Sequence, residues 1–479
     1  MMDIQMLKLG EKPMVGHKIR RLRTQLDLTQ SDMAAAIGIS ASYLNLIEHN
    51  QRPVTVPLLF KLGQAFDIDL KDFAADDSTR LIADITEMFA DPSMSGHSIS
   101  KRELRDFVTS QPNIVSSILQ FYNSYKAMKM DIHNAAATSG DIRQRYQTAT
   151  VVEDIRLYLQ DHGNYFDELE NAAEAFTERA NLSRDTLFSD LKDWFKRDLK
   201  LDIQIVPADV MGNSLRRYDP HRSRVLLSEA LRRPQRSFQL LLQAALLVEN
   251  DLINQMVKEA DNDAMAGFLR NTLAGYFAAA VMMPYADFIK AARSLRYDLD
   301  LLGRRFGVSF EQVCHRLTTM NRPGDRGISF FFIRTDLAGN ISKRLSAGKM
   351  QFANHGGTCA RWVVHQAFRV PSKIITQIAE LEEGEQVFTM ARTVSPLWSP
   401  PGQPESEFAV ALGCHVAHAK DIVHADGLDL GKSSQPVPIG IGCHVCERMD
   451  CAQRSQPPLG HQVRFDPYTR KLGLFDLEF

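Results

Sequence analysis

Apolar residues recur at helical spacing along most of the first 320 positions and at strand spacing beyond them. Residues 79–200 are helical in pattern almost throughout, and residues 114–125 carry an apolar stripe that we interpret as core, with a dimer contact as the alternative. Residues 201–206 alternate as a strand does, and residues 224–227 offer it a partner. The pattern then predicts apolar helices at about 237–249 and 263–280.

The pattern changes after the turn-forming sequence of residues 322–325. Gly, Pro, aromatic and β-branched residues become frequent, and residues 329–333 and 362–365 read as short strands. Each β-branched or aromatic run is bounded by turn formers, which is typical of an α+β domain. A separate C-terminal domain of that class is therefore expected.

Length and charge limit the classes of function. A chain of 479 residues is expected to hold about three domains. Its formal net charge of -2 lacks the basic excess of a non-specific polyanion binder, so any nucleic-acid contact must be local. The longest apolar stretches, 240–248 and 274–285, are shorter than the ~18–20 residues that a membrane span requires, and residues 1–12 lack a signal-peptide pattern. A cytoplasmic protein without membrane contact is expected.

Residues 16–52 fit a helix-turn-helix. Such a pair needs a small residue where the helices meet, a turn residue that tolerates positive φ, and apolar residues at fixed offsets. Counting from Gln30, Ala34 is the small residue and Gly38 the turn, and Thr29 and Ser40 are natural N-caps. The inward positions are all apolar: Met33, Ile37, Ile39, Leu44 and Ile47.

The outward positions carry short or amide-bearing side chains, which suit base edges and phosphate oxygens. The predicted DNA contacts are Gln30, Ser40, Ala41, Ser42, Tyr43, Asn45, His49, Arg52 and Arg21, with Lys18, Arg20 and Arg23 adding positive charge. The segment resembles the phage-repressor-like regulators, which implies a dimer on a near-palindromic double-stranded DNA operator. A helical hairpin with a solvated basic face is the alternative.

Two apolar segments, residues 236–247 and 276–284, resemble zinc peptidases of the anti-repressor-cleaving type. A working member carries His-Glu-x-x-His on the first helix, where two imidazoles bind zinc and the Glu acts as base. Here those positions are Leu242, Gln243 and Leu246, and the position of the acidic third ligand is Leu273. The domain is therefore expected to be a packing scaffold without hydrolytic activity.

Five of the six cysteines lie in the last third of the chain. Cys443, Cys446 and Cys451 place three soft ligands on one short segment, and Cys414 and Cys359 stand upstream as candidate fourth ligands. Thiolates grouped in this way favour zinc or an iron-sulfur cluster. A structural zinc site and free buried thiols are the alternatives.

Residues 334–344, 356–362, 391–394, 412–414 and 443–451 resemble the short-chain fatty acyl regulator family, and the resemblance extends over essentially the full chain. It implies control of acetate, glyoxylate-bypass and propionate (methylcitrate) genes in response to short-chain acyl-CoA. It also implies a 4Fe-4S cluster, which at least some relatives carry, on Cys414, Cys443, Cys446 and Cys451, with Cys359 in reserve. Ala360 and His444 depart from the Pro and Arg that relatives often have, which affects the local pocket more than ligation.

An acyl-CoA site needs cations for the phosphates and an apolar slot for the acyl tail. The matching segments offer Lys343, Arg344, Arg361 and Arg392 as cations and Trp362 and Phe368 as an apolar wall. Each cation has ordinary surface charge as its alternative. His365 is interpreted as a half-buried histidine of a strand rather than a ligand.

The predicted fold is multidomain and mainly α. It comprises an all-α helix-turn-helix domain (12–75), a helical connecting or dimerisation region (79–200), a degenerate zincin-like α+β domain (201–322) and a C-terminal α+β domain with the cysteines (323–479). The predicted function is a DNA-binding transcription regulator, a homo-oligomer and not an enzyme, that responds to acyl-CoA and a 4Fe-4S cluster. The alternatives are a redox or iron sensor that binds no acyl-CoA and, further off, a zinc peptidase.

Overall fold

The structure is a computed structural model that divides into two compact units, Met1–Tyr122 and Asn123–Phe479. It describes residues 28–48, 77–89, 99–112, 114–119, 154–258, 263–346, 358–382, 384–395, 405–431, 435–443, 446–458, 462–464 and 476–478, with the single residues 19, 23, 52, 54, 58, 61, 62, 66, 121, 122, 125, 151, 402 and 468. The division falls inside the region 79–200, and the domain boundaries predicted from the sequence stay predictions.

The first unit contains the helix-turn-helix, formed by α1 (Gln30–Ile37) and α2 (Ala41–Glu48). Thr29 caps α1 through a reciprocal pair of hydrogen bonds with Asp32. Gly38 ends α1 at φ +67°, a left-handed conformation that glycine adopts without strain. The Ser40 hydroxyl accepts a hydrogen bond from the Tyr43 amide (3.1 Å) and so begins α2. The predicted caps and turn are confirmed.

The helix-turn-helix has its own apolar core. Met33, Leu44 and Ile47 are fully buried, and Ala34 and Ile37 are 2% exposed. Ile39 packs against this core while remaining half-buried. The predicted inward positions therefore hold the two helices together, assisted by Ile19, Val54, Leu58 and Leu62.

The rest of the first unit holds α3 (Asp77–Phe89), α4 (Lys101–Ser110) and helical residues 114–119. Leu119 and Tyr122 pack with Ile85, Met88 and Val108 in a separate core. The other half of the predicted apolar stripe faces outward: Ile114 is 50% exposed, Phe121 75% and Tyr125 39%. Only part of the stripe is therefore core.

After helical residues 154–161, the larger unit continues with helices that pack around one long helix, Asp263–Met282. In chain order they are α5 (Asp167–Arg179), α6 (Leu187–Asp198), α7 (Ala208–Met211), α8 (Arg233–Val248), α9 (Asn250–Val257), α10 (Asp263–Met282), α11 (Tyr285–Ser294), α12 (Leu299–Phe306) and α13 (Phe310–Leu317). By itself, no described helix is long and apolar enough to cross a membrane; residues Met265–Met282 and Tyr285–Ser294, bent by 63°, pass that test as a pair by length and composition only.

A three-stranded sheet lies among these helices. β1 (Asp202–Val206) pairs in parallel with β3 (Arg224–Ser228), which pairs antiparallel with β2 (Arg216–Asp219). Ile203 stands opposite Val225, and both side chains are buried in the core. The predicted strand pair is confirmed.

A buried ion pair connects α5 to α13. Glu170 and Arg316 are each 1% exposed, and the guanidinium donates two hydrogen bonds to the carboxylate at 2.6 and 2.8 Å. The hydroxyl of Tyr276, in α10, donates a third to Glu170 at 2.6 Å. Three helices are thus joined by one polar cluster inside an apolar core.

The C-terminal part of this unit is built on a six-stranded sheet of order β5-β4-β8-β7-β6-β9. All neighbours are antiparallel except β6 and β9. The strands are β4 (Phe331–Thr335), β5 (Ile341–Ser346), β6 (Ile375–Glu380), β7 (Gln386–Val394), β8 (Phe408–His415) and β9 (Val437–Pro438); β10 (Gln462–Arg464) and β11 (Asp476–Glu478) form a separate pair.

The two faces of the six-stranded sheet pack against different layers, because alternate residues of a strand point to opposite faces. Phe332, Phe388 and Leu412 lie in the same core as the helices. Phe331 and Ala411 lie in a second core beneath the short helix α14 (Val363–Gln366). The helices and one face of the sheet therefore share a single core.

Helix α14 corrects the strand predicted at residues 362–365. The amide of His365 donates to the carbonyl of Trp362 at 3.2 Å, a helical turn rather than a sheet ladder. Val363 and Val364 are both buried, 2% and 0% exposed, whereas a strand would place them on opposite faces. Packing onto the sheet therefore overrides the strand propensity of these residues.

Candidate functional site

The exposed surface of α2 is narrower than the sequence predicted. Ser42 and Asn45 are exposed, and so are the cap Ser40 and the following Arg52. Ala41 and Tyr43 are half-buried and pack against the helix-turn-helix core. His49 and Arg21 lie outside the described residues. The side chains most exposed for a contact with DNA are therefore Ser40, Ser42, Asn45 and Arg52.

A hydrogen-bond network fixes α1 against α2. The Gln30 amide donates to Asn45 Oδ1 (3.2 Å) and to Glu48 Oε2 (2.8 Å). Glu48 is buried and accepts two hydrogen bonds from Arg23, at 2.7 and 3.2 Å. This hydrogen bonding raises the pKa of Arg23. Arg23 was counted as local positive charge for DNA, but here it neutralises Glu48. This pairing was not predicted from the sequence.

The peptidase-like positions are filled by core residues. Leu242 is 6% and Gln243 5% exposed, and Leu273 is fully buried. Leu246 packs against the same core. Nowhere in the described ranges do three His, Cys, Asp or Glu side chains converge as metal ligands would. The helices that resemble a zinc peptidase therefore act as packing elements.

The candidate acyl-CoA cations do not form one cluster. Lys343 stands opposite Arg334 in the β4–β5 ladder, and Arg344 stands opposite the buried Ile333 on the other face. Arg392 donates to Asp300 (2.7 Å) and lies over the Phe310 ring at 5.1 Å, so its charge is already paired toward the helices. Arg361 is half-buried near α14. Strand alternation thus places the adjacent Lys343 and Arg344 on opposite faces of the sheet.

Trp362 is a core residue. It is 2% exposed, its indole Nε1 donates to the Thr389 hydroxyl at 3.3 Å, and its ring lies 6.0 Å from that of Phe331. Phe368 packs half-buried against the same core. His365 is half-buried, as expected, with its Nε2 atom 2.7 Å from the Thr358 hydroxyl and its pKa lowered by burial.

Lys343 lies in a positively charged group that faces the helices. Burial lowers the Lys343 pKa, and the neighbouring Arg334 lowers it further while Glu311 raises it. Glu311 is itself bound by Arg334 at 2.8 Å. His315 of α13 is half-buried, and desolvation followed by the charge of Lys343 lowers its pKa well below the usual range. The group therefore has one more cation than Glu311 can neutralise.

Cys414 and the reserve Cys359 lie in different cores. Cys414 is 1% exposed in the core shared with the helices, and burial raises its pKa to about 12. Cys359 is half-buried against the core beneath α14. Within the described ranges no three cysteines converge as metal ligands, so neither Cys414 and Cys359 nor Cys443, Cys446 and Cys451 form a ligand cluster.

Cys443, Cys446 and Cys451 lie on a loop that follows β9, which we call the cysteine loop (residues 443–456). Burial opposes ionisation of Cys443, but hydrogen bonds led by the Ser455 hydroxyl (3.5 Å) lower its pKa. Burial and a hydrogen bond to Glu382 raise the pKa of Cys446 to about 12. The Cys446 sulfur lies so close to Gly440 that a Cβ there would be 2.7 Å away, so this position requires glycine.

Two arginines that the sequence analysis did not single out organise the cysteine loop. Arg448 donates to the carbonyls of Glu380 (2.8 Å), Leu381 (3.0 Å) and Ile439 (3.3 Å), which ties the loop to β6. Arg454 is 3% exposed and donates to four carbonyls inside the loop, those of Cys443, Cys446, Arg448 and Gln456. Their only sequence signal is proximity to the cysteines.

Three family patterns match different parts of the chain. The pattern described as short-chain fatty acyl coenzyme A regulator, C-terminal, matches residues 319–475. The IrrE N-terminal-like domain matches residues 197–318, and a helix-turn-helix pattern matches residues 19–73.

Relatives match almost the whole chain. The HTH-type transcriptional regulator PrpR of Mycobacterium tuberculosis is 37% identical over 94% of this chain and 93% of its own. The propionyl-CoA carboxylase regulator of Cereibacter sphaeroides is 36% identical over 98% of this chain and 100% of its own. The HTH-type transcriptional regulator RamB of M. tuberculosis is 35% identical over 95% of this chain and 97% of its own. A solved M. tuberculosis transcriptional regulator shares 40% identity and a TM-score of 0.65, covering 68% of this chain and 99% of its own.

Proposed function

Because the chain belongs to the short-chain fatty acyl coenzyme A regulator family, we propose that it controls genes of propionate or acetate metabolism in response to a short-chain acyl-CoA. The chain is a helix-turn-helix transcription regulator and not an enzyme. The observation that carries the metabolic proposal is full-length similarity to a protein named as a propionyl-CoA carboxylase regulator. The predicted family and multidomain fold are confirmed.

DNA binding uses the exposed residues of α2. Ser42 and Asn45 are exposed, and the network from Gln30 orients Asn45. Such short polar side chains suit base edges in the major groove, and Ser40 and Arg52 suit phosphates. The chain works as a dimer or higher homo-oligomer, because regulators of this kind read two half-sites one helical turn apart.

The test begins with an operator obtained by selection from random duplexes, followed by fluorescence-anisotropy titrations with and without propionyl-CoA. Propionyl-CoA is expected to change the apparent Kd by about fivefold or more, since coupling between sites is typically about 1–3 kcal/mol. Coenzyme A without the acyl group is the control. An operator affinity that is identical with and without every short-chain acyl-CoA contradicts the proposal.

The acyl-CoA phosphates bind near Lys343. This half-buried ammonium is crowded by Arg334 and His315, and Glu311 neutralises only part of the group. An anion placed there relieves like-charge repulsion and the desolvation of the lysine. Arg344, Arg361 and Arg392 remain candidate contacts, although Arg392 must first release Asp300.

Calorimetry of Lys343→Met tests this placement. The variant is expected to bind propionyl-CoA at least about tenfold more weakly, because a charged hydrogen bond contributes about 1.5–3 kcal/mol. Lys343→Arg retains the charge and should bind more tightly than Lys343→Met. Lys420→Met removes an exposed lysine of the same domain and is the matched control. Equal affinity in Lys343→Met and Lys420→Met rules out this site.

We also propose a thiolate-bound metal centre at the cysteine loop, a 4Fe-4S cluster with zinc as the alternative. The proposal rests on the grouping of three cysteines along the sequence, because grouped thiolates favour soft metals. Their side chains do not converge as metal ligands within the described ranges, so ligation requires the cysteine loop to rearrange. Cys443, Cys446 and Cys451 would hold it, and Cys414, with Cys359 in reserve, would be the fourth ligand. When bound, a cluster supplies a one-electron redox switch.

Purification without oxygen, followed by iron, sulfide and zinc determination, tests the metal centre. About four irons with a brown colour support a cluster, and zinc without colour supports a structural site. Cys446→Ser is expected to lose the metal. Cys314→Ser changes a buried cysteine outside the cysteine loop and should keep the metal. A wild-type chain without iron or zinc refutes the metal centre. Iron without any acyl-CoA binding favours a redox or iron sensor.

A further inference from the structure

Positive charge is concentrated in the β2–β3 hairpin and at the start of α8. Residues 216–236 contain two carboxylates, no lysine and seven arginines, which are Arg216, Arg217, Arg222, Arg224, Arg232, Arg233 and Arg236. The whole chain has 56 basic and 58 acidic residues, so this positive charge is a local excess. A surface with one sign of charge attracts ligands of the opposite sign.

Four of these arginines are exposed, and we call them the arginine strip: Arg217, Arg222, Arg232 and Arg233. None of the four forms an ion pair in the part of the chain that the structure describes, where Asp219 binds Arg224 at 3.3 Å. The carboxylate of Glu229 accepts a hydrogen bond from the Ala208 amide at 3.0 Å. Both carboxylates of residues 216–236 therefore have other partners, and the arginine strip keeps its charge.

Two half-buried arginines join the hairpin to α8. Arg216 of β2 donates to the carbonyl of Gln239 (2.9 Å), and Arg236 of α8 donates to the carbonyl of Glu229 (2.9 Å). Burial lowers the pKa of Arg216 to about 10. The buried Nε atom of Arg236 has no hydrogen-bond partner in the described ranges. The hairpin and the start of α8 therefore form one surface, and two further cations that donate only to carbonyls lie beneath it.

The fold by itself does not require the arginine strip. β2 is the edge strand of its sheet, and charged side chains on an edge strand prevent pairing with another chain. This role accounts for Arg217, whereas Arg222 lies in the turn after β2. Arg232 and Arg233 stand at the N-terminus of α8, where the helix dipole favours acidic side chains, and the first turn has none. Arginines at these positions oppose helix stability, which indicates a partner outside the fold.

The chemistry and size of the arginine strip fit the phosphate backbone of DNA. A guanidinium binds phosphate oxygens through two parallel hydrogen bonds, which an ammonium cannot do, and residues 216–236 contain arginine and no lysine. β3 has five residues and extends over roughly 14 Å, at about 3.4 Å per residue. One DNA strand presents a phosphate every ~3.4 Å along the axis, so this length spans about four phosphates.

We propose that the arginine strip is a second DNA-contacting surface, which binds the phosphate backbone of double-stranded DNA without reading its sequence. Phosphate contacts fix a protein on a duplex but carry no sequence information. The inference rests on DNA binding by the chain and goes beyond it, because the strip lies outside the helix-turn-helix, in residues that match the IrrE N-terminal-like domain.

Two double variants of the full-length chain test the arginine strip. Arg217→Gln with Arg222→Gln removes the charges of the hairpin, and Arg232→Gln with Arg233→Gln removes those at the start of α8. Folding is checked by urea unfolding, and if one double variant does not fold, the other decides. Affinity for the selected operator and for a random duplex is measured by fluorescence anisotropy between about 0.05 and 0.2 M salt.

Each double variant is expected to bind both duplexes more weakly by the same factor, because backbone contacts do not depend on sequence. The slope of log affinity against log salt should become shallower by about 1.8, since each phosphate contact contributes about 0.9. Lowering the salt from about 0.2 to 0.05 M should then improve affinity about twelvefold less than in the wild type. Arg217→Lys with Arg222→Lys keeps the charges and should retain most of the slope.

Arg304→Gln with Arg305→Gln is the matched control, because it removes two exposed arginines of α12 in the same unit. This variant should keep the wild-type slope and affinity. An equal loss there would come from net charge alone and overturns the inference. A wild-type slope in both strip variants, or a loss confined to the selected operator, overturns it as well.

Other partners of the arginine strip would give different results. Unchanged DNA affinity with weaker propionyl-CoA binding in calorimetry assigns the strip to the coenzyme A phosphates and overturns the inference. Unchanged binding of both, with altered transcription from the operator in a purified assay, assigns it to an acidic protein and also overturns the inference. A wild-type chain that binds no duplex overturns this inference and DNA binding together, whereas a DNA-binding wild type with unaffected strip variants overturns this inference alone.

Discussion

Glu170→Gln is expected to destabilise the larger unit by about 3–5 kcal/mol, the usual result of removing one partner of a buried ion pair. Glu170 is 1% exposed and accepts two hydrogen bonds from Arg316 and one from Tyr276. Glutamine has the same volume, so the change creates no cavity. It leaves the Arg316 charge buried without a counter-ion and turns one acceptor into a donor that faces other donors.

The magnitude follows from the contacts. A hydrogen bond to a charged group contributes about 1.5–3 kcal/mol, and both Arg316 bonds to Glu170 lose their charged acceptor. Arg316 keeps its bonds to the Met283 carbonyl (3.0 Å) and the Thr319 hydroxyl (3.1 Å), which limits the loss. The sum is roughly 3–6 kcal/mol, which agrees with the range for broken buried pairs.

Equilibrium unfolding in urea, followed by tryptophan fluorescence, measures this loss. Trp194 is 3% exposed and lies edge-on to Phe176 of α5 at 4.8 Å, so it reports on the same core. Glu174→Gln is the matched control on the same helix, because its carboxylate is half exposed and lies 3.7 Å from Arg322. That change should cost at most about 1 kcal/mol. Equal losses for the two glutamates refute the reasoning, and Glu170→Met combined with Arg316→Met should recover much of the stability.

Three further predictions concern the helix-turn-helix, the sheet and assembly. Asn45→Ala is expected to weaken selected-operator binding by about 1–3 kcal/mol and leave random-duplex binding unchanged in anisotropy titrations; equal losses on both DNAs contradict base reading. Gly413→Ala should cost about 1–3 kcal/mol in urea unfolding, since its Cβ would clash with Cζ of the packed Phe331 ring, and a wild-type midpoint would contradict that packing. Phe121→Glu, at an apolar side chain 75% exposed, should shift sedimentation toward monomer without loss of helix in circular dichroism, and an unchanged oligomer excludes this surface.

The helix-turn-helix was predictable because all its determinants are local. Thr29, Gly38 and Ser40 act within a few residues of the backbone groups that they satisfy. The apolar offsets follow from helical geometry alone, and each of them is buried or packs against the core. Arg23 and Glu48 are 25 residues apart, and no local pattern reveals that they neutralise each other.

The predicted acyl-CoA contacts illustrate what sequence reasoning misses. Lys343 and Arg344 were grouped because they are adjacent, yet adjacency in a strand sends them to opposite faces of the sheet. Arg392 stands opposite Val410 of β8, whose side chain lies in the core shared with the helices. Because cross-strand partners share a face, Arg392 also lies on the helix-facing side of the sheet. Strand register decides which charges share a surface, and register depends on pairings between distant segments.

Buried polar groups were also beyond the sequence. Charged residues are rarely buried unless they are paired, so Glu170, Arg316 and Arg454 read as surface residues in a linear pattern. Their partners are other helices or loop carbonyls, which only the folded chain brings together. Trp362 was misread in the opposite sense, as a wall of a ligand pocket, because an aromatic residue suits a core and a pocket equally well.

The sheet order indicates whether the proposed acyl-CoA site and the proposed metal centre could overlap. Lys343 lies on β5, at one edge of the sheet, and the cysteine loop is tied to β6 and follows β9 at the other. Four to five strand spacings separate them, which is roughly 19–24 Å at about 4.8 Å per strand. An acyl-CoA phosphate at Lys343 therefore touches no cysteine of that loop, and either site can exist without the other. If both are occupied and the metal state changes acyl-CoA affinity, acyl-CoA must change metal affinity by the same factor, because equilibrium coupling is reciprocal.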